Sequence, residues 1–425
     1  MTAIVSPSLI TGELLAPSSK SSMQRACAAA LLHKGKTIIY NAGISNDDKA
    51  ALNIIKSLGA IVTTNGDVIT IVSQGFSSII FSESKQISCG ESGLSFRMFA
   101  PIIALASGTI ELTGSGSLLK RPMSFFDEIF PKLGVEIISN DGFLPLQITG
   151  PLQPENITID GSMSSQYLTG LLFAYGASTK KEVTITVNNL KSTPYVDLTL
   201  DLMQRFGYNI ENKNYLEFII HPFALAEDII EYKVESDWSS ASFLLVAGAI
   251  IGSVTLNGLD LNSTQADKAI MHALKDCGSS IDINQSGIKV SKAFLNAFTF
   301  DATNCPDLFP PLAVLAAYCS GTTIIKGTHR LVAKESNRAE TLKNIFTKFG
   351  LEILLTGDEM HITGGLIKAA VVSSHHDHRI AMAAAIAALG ATGPIEIENA
   401  DAINKSYPQF YDHLKKLGAP IDFIN

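Results

Sequence analysis

Amphipathic stretches of about three turns end six times along the chain in an apolar residue or cysteine followed by glycine. The pairs are Leu58-Gly59, Leu133-Gly134, Phe206-Gly207, Cys277-Gly278, Phe349-Gly350 and Leu417-Gly418. By subtraction, successive glycines lie 75, 73, 71, 72 and 68 residues apart. Glycine in that place fits a left-handed helix C-cap. A strand-like run follows each, often with a turn and a second strand, as in residues 60–64, Asn65-Gly66 and 68–72. Asn65-Gly66, Asp141-Gly142 and Gly357-Asp358 fit hairpin turns.

A second set of helical stretches alternates with the first. Met23–Leu32, Phe96–Ala106, Tyr167–Tyr175, Ser242–Ile251, Leu312–Cys319 and Ile380–Leu389 are apolar nearly all round. Such a helix is buried on every side, and none is long enough to span a bilayer. The repeat then reads strand, surface helix, strand, buried helix, strand, strand, or a cyclic shift of that order. Six near-equal units predict an α/β chain of two domains, each with three units wrapping sheets around buried helices.

Composition narrows the class. Of 425 residues, 46% are hydrophobic and 17% charged, which excludes a disordered chain. The net charge of −8 argues against a nucleic-acid partner, which needs a clustered basic surface. It decides nothing about small anions. The N-terminus has neither a basic-then-apolar leader nor an Arg-rich one, so a cytoplasmic location is expected. Cys27, Cys89, Cys277, Cys305 and Cys319 are odd in number and lack C-x-x-C spacing, as reduced buried thiols would be.

Polar residues concentrate just before the buried helices. The starts read Ser18-Ser19-Lys20-Ser21-Ser22, Gly90-Glu91-Ser92-Gly93, Ser162-Met163-Ser164-Ser165-Gln166, Ser236-Asp237-Trp238-Ser239-Ser240, Pro306-Asp307 and His376-Asp377-His378-Arg379. Helix N-termini carry unpaired N–H groups and suit anions. Ordinary capping explains the Ser and Asp residues. It does not explain Lys20, Arg25, Arg97 and Arg379 at or inside apolar helices, because a buried cation needs a partner. With few acidic residues adjacent, a ligand phosphate or carboxylate is the natural one. Arg121, His329-Arg330, Lys334-Glu335, Arg338 and Lys405 lie in loops of the same units. Taken singly, each reads as a solvated surface charge.

Together these residues resemble the EPSP synthases, the 3-phosphoshikimate 1-carboxyvinyltransferases, over the whole chain. Ser19-Lys20-Ser21 with Arg25 is similar to the family's opening signature, and Ser92-Gly93 with Arg97 to its Gly-rich loop. Arg121-Pro122, Gly161 to Gln166, Ser192-Thr193-Pro194-Tyr195, Pro306-Asp307, Lys334 to Arg338, Asp377-His378-Arg379 and Lys405 to Pro408 follow in family order. The resemblance implies an enolpyruvyl-transferase-like fold of six βαβαββ units, three per domain. It places residues 1–18 and 236–425 in one domain, 19–235 in the other, and the active site in the cleft between them.

The implied reaction joins the 5-hydroxyl of shikimate 3-phosphate to C2 of phosphoenolpyruvate while C3 is protonated; phosphate then leaves. By resemblance Ser21, Arg25, Ser164, Ser165, Ser192 and Tyr195 hold shikimate 3-phosphate, with Lys20, Gln166, Asp307, Arg330 and Lys334 reaching it too. Lys20, Gly93, Arg121, Gln166, Arg338, Arg379 and Lys405 hold phosphoenolpyruvate. Asp307 is the implied base at the 5-hydroxyl, with a plain N-cap as its bland alternative. Lys334 touches the same hydroxyl, Glu335 moves the proton at C3, and Lys20 completes the catalytic set. No metal or cofactor and no macromolecular or membrane partner is implied, and a monomer is expected. Glu91, Leu94, Met98, Arg330 and Asn337 depart from the common pattern. The nearest rival, transfer to UDP-N-acetylglucosamine, is disfavoured because Ser21 follows Lys20 and no cysteine lies near Arg121. A metal hydrolase built on Ser374 to His378 lacks a second pair of ligands. A non-catalytic sensor of the same fold is disfavoured by the presence of Lys334, Glu335 and Asp307 together.

Overall fold

All six helix-ending glycines adopt a left-handed backbone, with φ between +72° and +104°. The computed structural model describes residues 1–75, 85–222, 228–284, 287–332 and 334–424. Among these, helices come in pairs along the chain. They are α1 (Lys20–Leu32) and α2 (Asn46–Ser57), α3 (Gly93–Ile103) and α4 (Phe125–Ile129), α5 (Ser165–Ser178) and α6 (Thr193–Arg205). Then follow α7 (Trp238–Ile251) and α8 (Ile270–Asp276), α9 (Phe309–Ala317) and α10 (Arg338–Lys348), α11 (His378–Ala388) and α12 (Phe410–Lys416). The first of each pair is the apolar one: every residue of α3, α9 and α11 is buried. At roughly 1.5–3 kcal/mol for each large apolar side chain taken from water, this burial outweighs the weak helix preference of their β-branched residues.

The expected α/β repeat is present, but its two helices come in the opposite order. In space each unit holds a strand, a buried helix, a second strand, a surface helix and two further antiparallel strands, which in five of the units form a hairpin. The reason is local. The glycine that caps the surface helix delivers the chain straight into the hairpin, while a parallel strand pair needs a helix-long crossover. In one unit Ile157–Asp160 pairs parallel with Val183–Asn188 across α5, and the latter pairs antiparallel with Glu217–Ile220 of the hairpin. The described strands form six four-stranded sheets of this kind. The amphipathic stretch that ends at Leu133-Gly134 is not one helix of three turns. Pro131, without an N–H, splits it into α4 and a 3-10 turn at Pro131–Leu133.

The chain divides into two compact units, Met1–Pro17 with Glu235–Asn425, and Ser18–Val234. Each borrows a strand from afar. Thr11–Leu15 pairs parallel with Ser253–Asn257, and Ile229–Lys233 pairs parallel with Lys34–Tyr40. Thr2–Val5 sits antiparallel between Ile395–Glu398 and Ile421–Ile424. All five cysteines are buried and unbridged. Among the described residues no helix is long and apolar enough to cross a membrane.

Within Ser18–Val234, close packing sets the register of the buried helices. Gln24 Oε1 accepts from Ser92 Oγ (2.9 Å) and Ser95 Oγ (2.8 Å), tying α1 to α3. Gly170 lets α5 lie against α3: a Cβ there would stand 2.6 Å from the Arg97 carbonyl oxygen and 2.8 Å from that of Met98. Backbone cannot yield as a side-chain tip does. Gly170→Ala is therefore expected to lower stability by roughly 1–3 kcal/mol, measured as a shift in the urea midpoint. Gly59→Ala meets nothing within 4 Å and should cost only the left-handed strain of about 1 kcal/mol.

Candidate active site

A helix apolar on all faces can carry polar chemistry only at its ends, and the candidate residues stand there. Ser19, Ser92, Ser164, Asp237 and Asp377 each accept a backbone N–H and cap α1, α3, α5, α7 and α11. The exception is α9. It opens through a 3-10 turn, Pro306–Leu308, with no side-chain cap. The bland alternative for Asp307, a plain N-cap, is thereby removed, and its carboxylate is spent elsewhere.

In Ser18–Val234 the candidates fall on the starts of α1, α3, α5 and α6. Lys20 Nζ lies 2.8 Å from Asp47 Oδ2 at the start of α2. Arg25 is buried, and its guanidinium donates to Thr199 Oγ1 (2.8 Å), Ser21 O (2.9 Å) and Tyr195 O (3.2 Å). Ser192, at the head of α6, holds φ at +57°. Arg97 Nη1 donates to Gln166 Oε1 (3.0 Å), and its guanidinium carbon lies 5.3 Å from the centre of the Tyr167 ring. Arg121 Nη2 stands 3.4 Å from Ser117 Oγ. A Cβ on Gly93 would sit 2.6 Å from Arg121 Nη1 and 3.1 Å from Arg97 Nη1. Glycine thus lets two guanidinium heads face the backbone at the start of α3. Ser164 caps α5, and Ser165 is its buried first residue. Of the departures, Glu91 packs its carboxyl group against Gly116, Leu94 and Met98 are buried, and Asn337 precedes α10 without capping it.

In Met1–Pro17 with Glu235–Asn425 a denser cluster forms. Asp307 Oδ1 takes Arg338 Nη1 at 2.7 Å and Lys334 Nζ at 3.3 Å, and its Oδ2 takes Arg379 Nη2 at 3.1 Å. Arg338 is 1% exposed. Its Nη2 lies 2.6 Å from Glu335 Oε2 and its Nε 2.8 Å from Asp377 Oδ2. Lys405 Nζ lies 3.9 Å from Glu335 Oε1. The expectation of few acidic neighbours is corrected for Lys20, which meets Asp47, and for Arg379, which meets Asp307; Arg338, read as a solvated loop charge, is buried and meets three carboxylates. Desolvation alone would raise the Asp307 pKa, but Arg379, Lys334 and Arg338 outweigh it and hold the carboxyl well below the usual range. Burial, with the neighbouring guanidinium groups, pushes the Lys334 ammonium pKa down against the pull of Asp307 and Glu335. Arg330, at the 3-10 turn Thr328–Leu331, is likewise lowered by burial.

Asp377 is the organiser that sequence reasoning underused. It caps α11 through the Arg379 N–H (3.0 Å), binds Arg338 and accepts from Ser336 Oγ (3.1 Å). His375 and His376, at φ +52° and +57°, strain the turn before it. These histidines are exposed, while His378 is buried. Among the described residues no group of His, Cys, Asp and Glu is placed to hold a metal ion. Asp47 gave no signal either, because its partner Lys20 is 27 residues away.

Comparisons with known proteins place this geometry in context. The family model for EPSP synthase (3-phosphoshikimate 1-carboxyvinyltransferase) matches residues 4–414. The 3-phosphoshikimate 1-carboxyvinyltransferase of Clostridium novyi (strain NT) is 37% identical over 424 residues, covering 98% of this chain and 97% of the relative. That of Clostridium kluyveri is 35% identical over 422 residues, covering 98% and 97%. An EPSP synthase structure from Acinetobacter baumannii aligns with a TM-score of 0.83 at 24% identity, covering 99% of this chain and 100% of that one. The enolpyruvyl transferase NikO from Streptomyces tendae aligns at 0.76 and 18%, covering 99% and 98%. At those identities the two structures speak for the fold.

Arg338→Met is expected to destabilise the protein by about 3–5 kcal/mol, since it leaves buried carboxylates without their shared cation. Asp307 supplies the pH signature. Its folded pKa is depressed, so its contribution is present above the unfolded carboxylate value of about 3.9 and is lost as pH falls through the lower folded value. Urea midpoints measured from pH 7 down to pH 3 should show the gap between the two proteins narrowing on the acid side.

Proposed function

The chain belongs to the EPSP synthase family, and from that premise we propose which of its residues carry the reaction. The reaction moves the enolpyruvyl group of phosphoenolpyruvate to the 5-hydroxyl of shikimate 3-phosphate and releases phosphate, on the route to the aromatic amino acids. In the addition the hydroxyl oxygen bonds to C2, the hydroxyl proton goes to a base, and C3 gains a proton. In the elimination C3 gives that proton up, the C2–O bond to phosphate breaks, and the double bond returns. The enzyme's task is to move two protons and to hold two phosphates and two carboxylates.

The observation that carries the assignment is the Asp307 carboxylate flanked by Lys334, Arg338 and Arg379. Ionised and fixed, Asp307 accepts the hydroxyl proton. A weakly basic carboxylate needs help with so weak an acid, and Lys334 against the same oxygen stabilises the charge that develops on it. Glu335, aligned by Arg338, transfers the proton at C3. Arg338, committed to three carboxylates, also sets the geometry of the phosphoenolpyruvate ligands beside it. Arg121, Arg379, Lys20 and Lys405, with Gly93 and Gln166, hold phosphoenolpyruvate. Ser21, Arg25, Ser164, Ser165, Ser192 and Tyr195 hold shikimate 3-phosphate, Arg330 standing by. Arg25, steadied by the Thr199 hydroxyl and the Ser21 and Tyr195 carbonyls, takes the phosphate. The same proposal takes the protein as a cytoplasmic monomer; its buried, unbridged cysteines support the reducing compartment.

Mixing the protein with both substrates should release phosphate, and UDP-N-acetylglucosamine in place of shikimate 3-phosphate should release none. Asp307→Ala is expected to cut kcat by about 10²–10⁴ with substrate binding largely kept. Arg121→Ala should instead raise KM for phosphoenolpyruvate by on the order of tenfold or more. Steady-state assays of phosphate release read all of these. Near-normal turnover in the first variant rejects the base assignment, and an unchanged KM in the second rejects the clamp.

A further inference from the structure

Beside the Asp307 cluster lies a buried carboxyl that the mechanism does not use. Asp267 sits in the 3-10 turn Ala266–Ala269 and is 1% exposed. Among the described residues neither of its oxygens meets a hydrogen-bond donor in bonding geometry, although the Ser239 hydroxyl stands near. Its place is fixed by Gln265, two residues before it. Gln265 Nε2 donates to Ser236 O (2.7 Å), and its Oε1 accepts the Trp238 N–H (3.0 Å). The turn is therefore pinned to the head of α7, and α7, α9 and α11 pack on one another.

The groups acting on Asp267 come from all three helix heads. Asp237 and Ser239 belong to α7, Asp307 to the turn before α9, and Arg379 to α11. Lys268 is its neighbour in the turn, and the Cys305 thiol feels its charge in return. Burial, then Asp307, push the Asp267 carboxyl up, and Arg379 pulls it back, leaving it at about 7. Asp307 in the same cluster is held far lower. Two neighbouring carboxyls driven apart in this way take different charge states near neutrality.

The cation that acts most strongly on the Asp267 carboxyl is Arg379. Arg379 now spends Nη2 on Asp307 Oδ2 (3.1 Å) and Nη1 on Asp307 O (3.4 Å). Were Asp267 to ionise, the same guanidinium would be drawn toward it. We propose that Asp267 is a positioning residue that works uncharged: it leaves Arg379 committed to Asp307 and to phosphoenolpyruvate, and on ionising it competes for that guanidinium. The inference rests on the assignment of Arg379 as a phosphoenolpyruvate ligand.

KM for phosphoenolpyruvate measured from pH 6 to 8.5 on the full chain tests it. In the unsubstituted protein KM should rise across pH 7 by on the order of five- to tenfold, the worth of one charge-assisted contact, with kcat much less affected. Asp267→Asn, a permanently uncharged isostere, should bring the ratio of KM at pH 8.5 to KM at pH 6 toward one. The substrates' own ionisations enter both profiles alike. A flat profile in the unsubstituted protein overturns the proposal without any variant. So does an Asp267→Asn profile parallel to the unsubstituted one. Arg379→Lys separates the two readings. If its KM for phosphoenolpyruvate is unchanged, the ligand assignment fails; if that KM rises while Asp267→Asn keeps the original slope, only the role of Asp267 fails.

Discussion

A helix buried on every side can meet solvent or ligand only at its ends, and this constraint shapes the whole protein. Six such helices leave no lateral surface for chemistry. Their N-termini, with unpaired N–H groups and the positive end of the helix dipole, are what remains. Five are closed by their own Ser or Asp. The sixth, α9, is left without a side-chain cap, and the carboxylate that might have capped it is turned to cations instead. The candidate base is available because the helix it precedes was started another way.

Charge is then organised by neutralisation close at hand. Arg338 is buried, and a buried guanidinium alone would be prohibitive. Asp307, Glu335 and Asp377 surround it, and each of them serves a second partner. Lys334, Arg379 and Lys405 complete the group, so among the described residues these ion pairs join four cations to three carboxylates. A positive surplus placed where water is scarce is what a doubly anionic substrate requires. In Ser18–Val234 neutral acceptors take part as well: Arg25 donates to Thr199 Oγ1 and Ser21 O, and Arg97 to Gln166 Oε1. Such partners fix a guanidinium without cancelling its charge.

The repeat itself solves a topological problem. Each unit needs a parallel pair around its buried helix and a hairpin beyond it. Where the chain passes between units, the first strand has to come from elsewhere. Thr11–Leu15 and Ile229–Lys233 fill those places by pairing with strands far away in sequence. Their alternating side chains are ordinary, and only the pairing shows what they are for.

Much of this was legible in the residues. Period and punctuation decided the six units, because a left-handed glycine and an all-apolar helix are local signals that need no partner. The gathering of polar and basic residues at helix starts was legible for the same reason, and it pointed to anions despite a net charge of −8. The order of the two helices was misread, since amphipathic and apolar stretches alternate and either can be taken to lead. What tertiary structure alone decided is pairing. Lys20 meets Asp47 across 27 positions, Arg338 meets Asp377 across 39, and Asp307 meets Arg379 across 72. Asp267 carries no motif at all and matters only through what surrounds it. Whether a charge is paid out to a ligand or cancelled within the chain depends on distance and dielectric, and those exist only once the chain has folded.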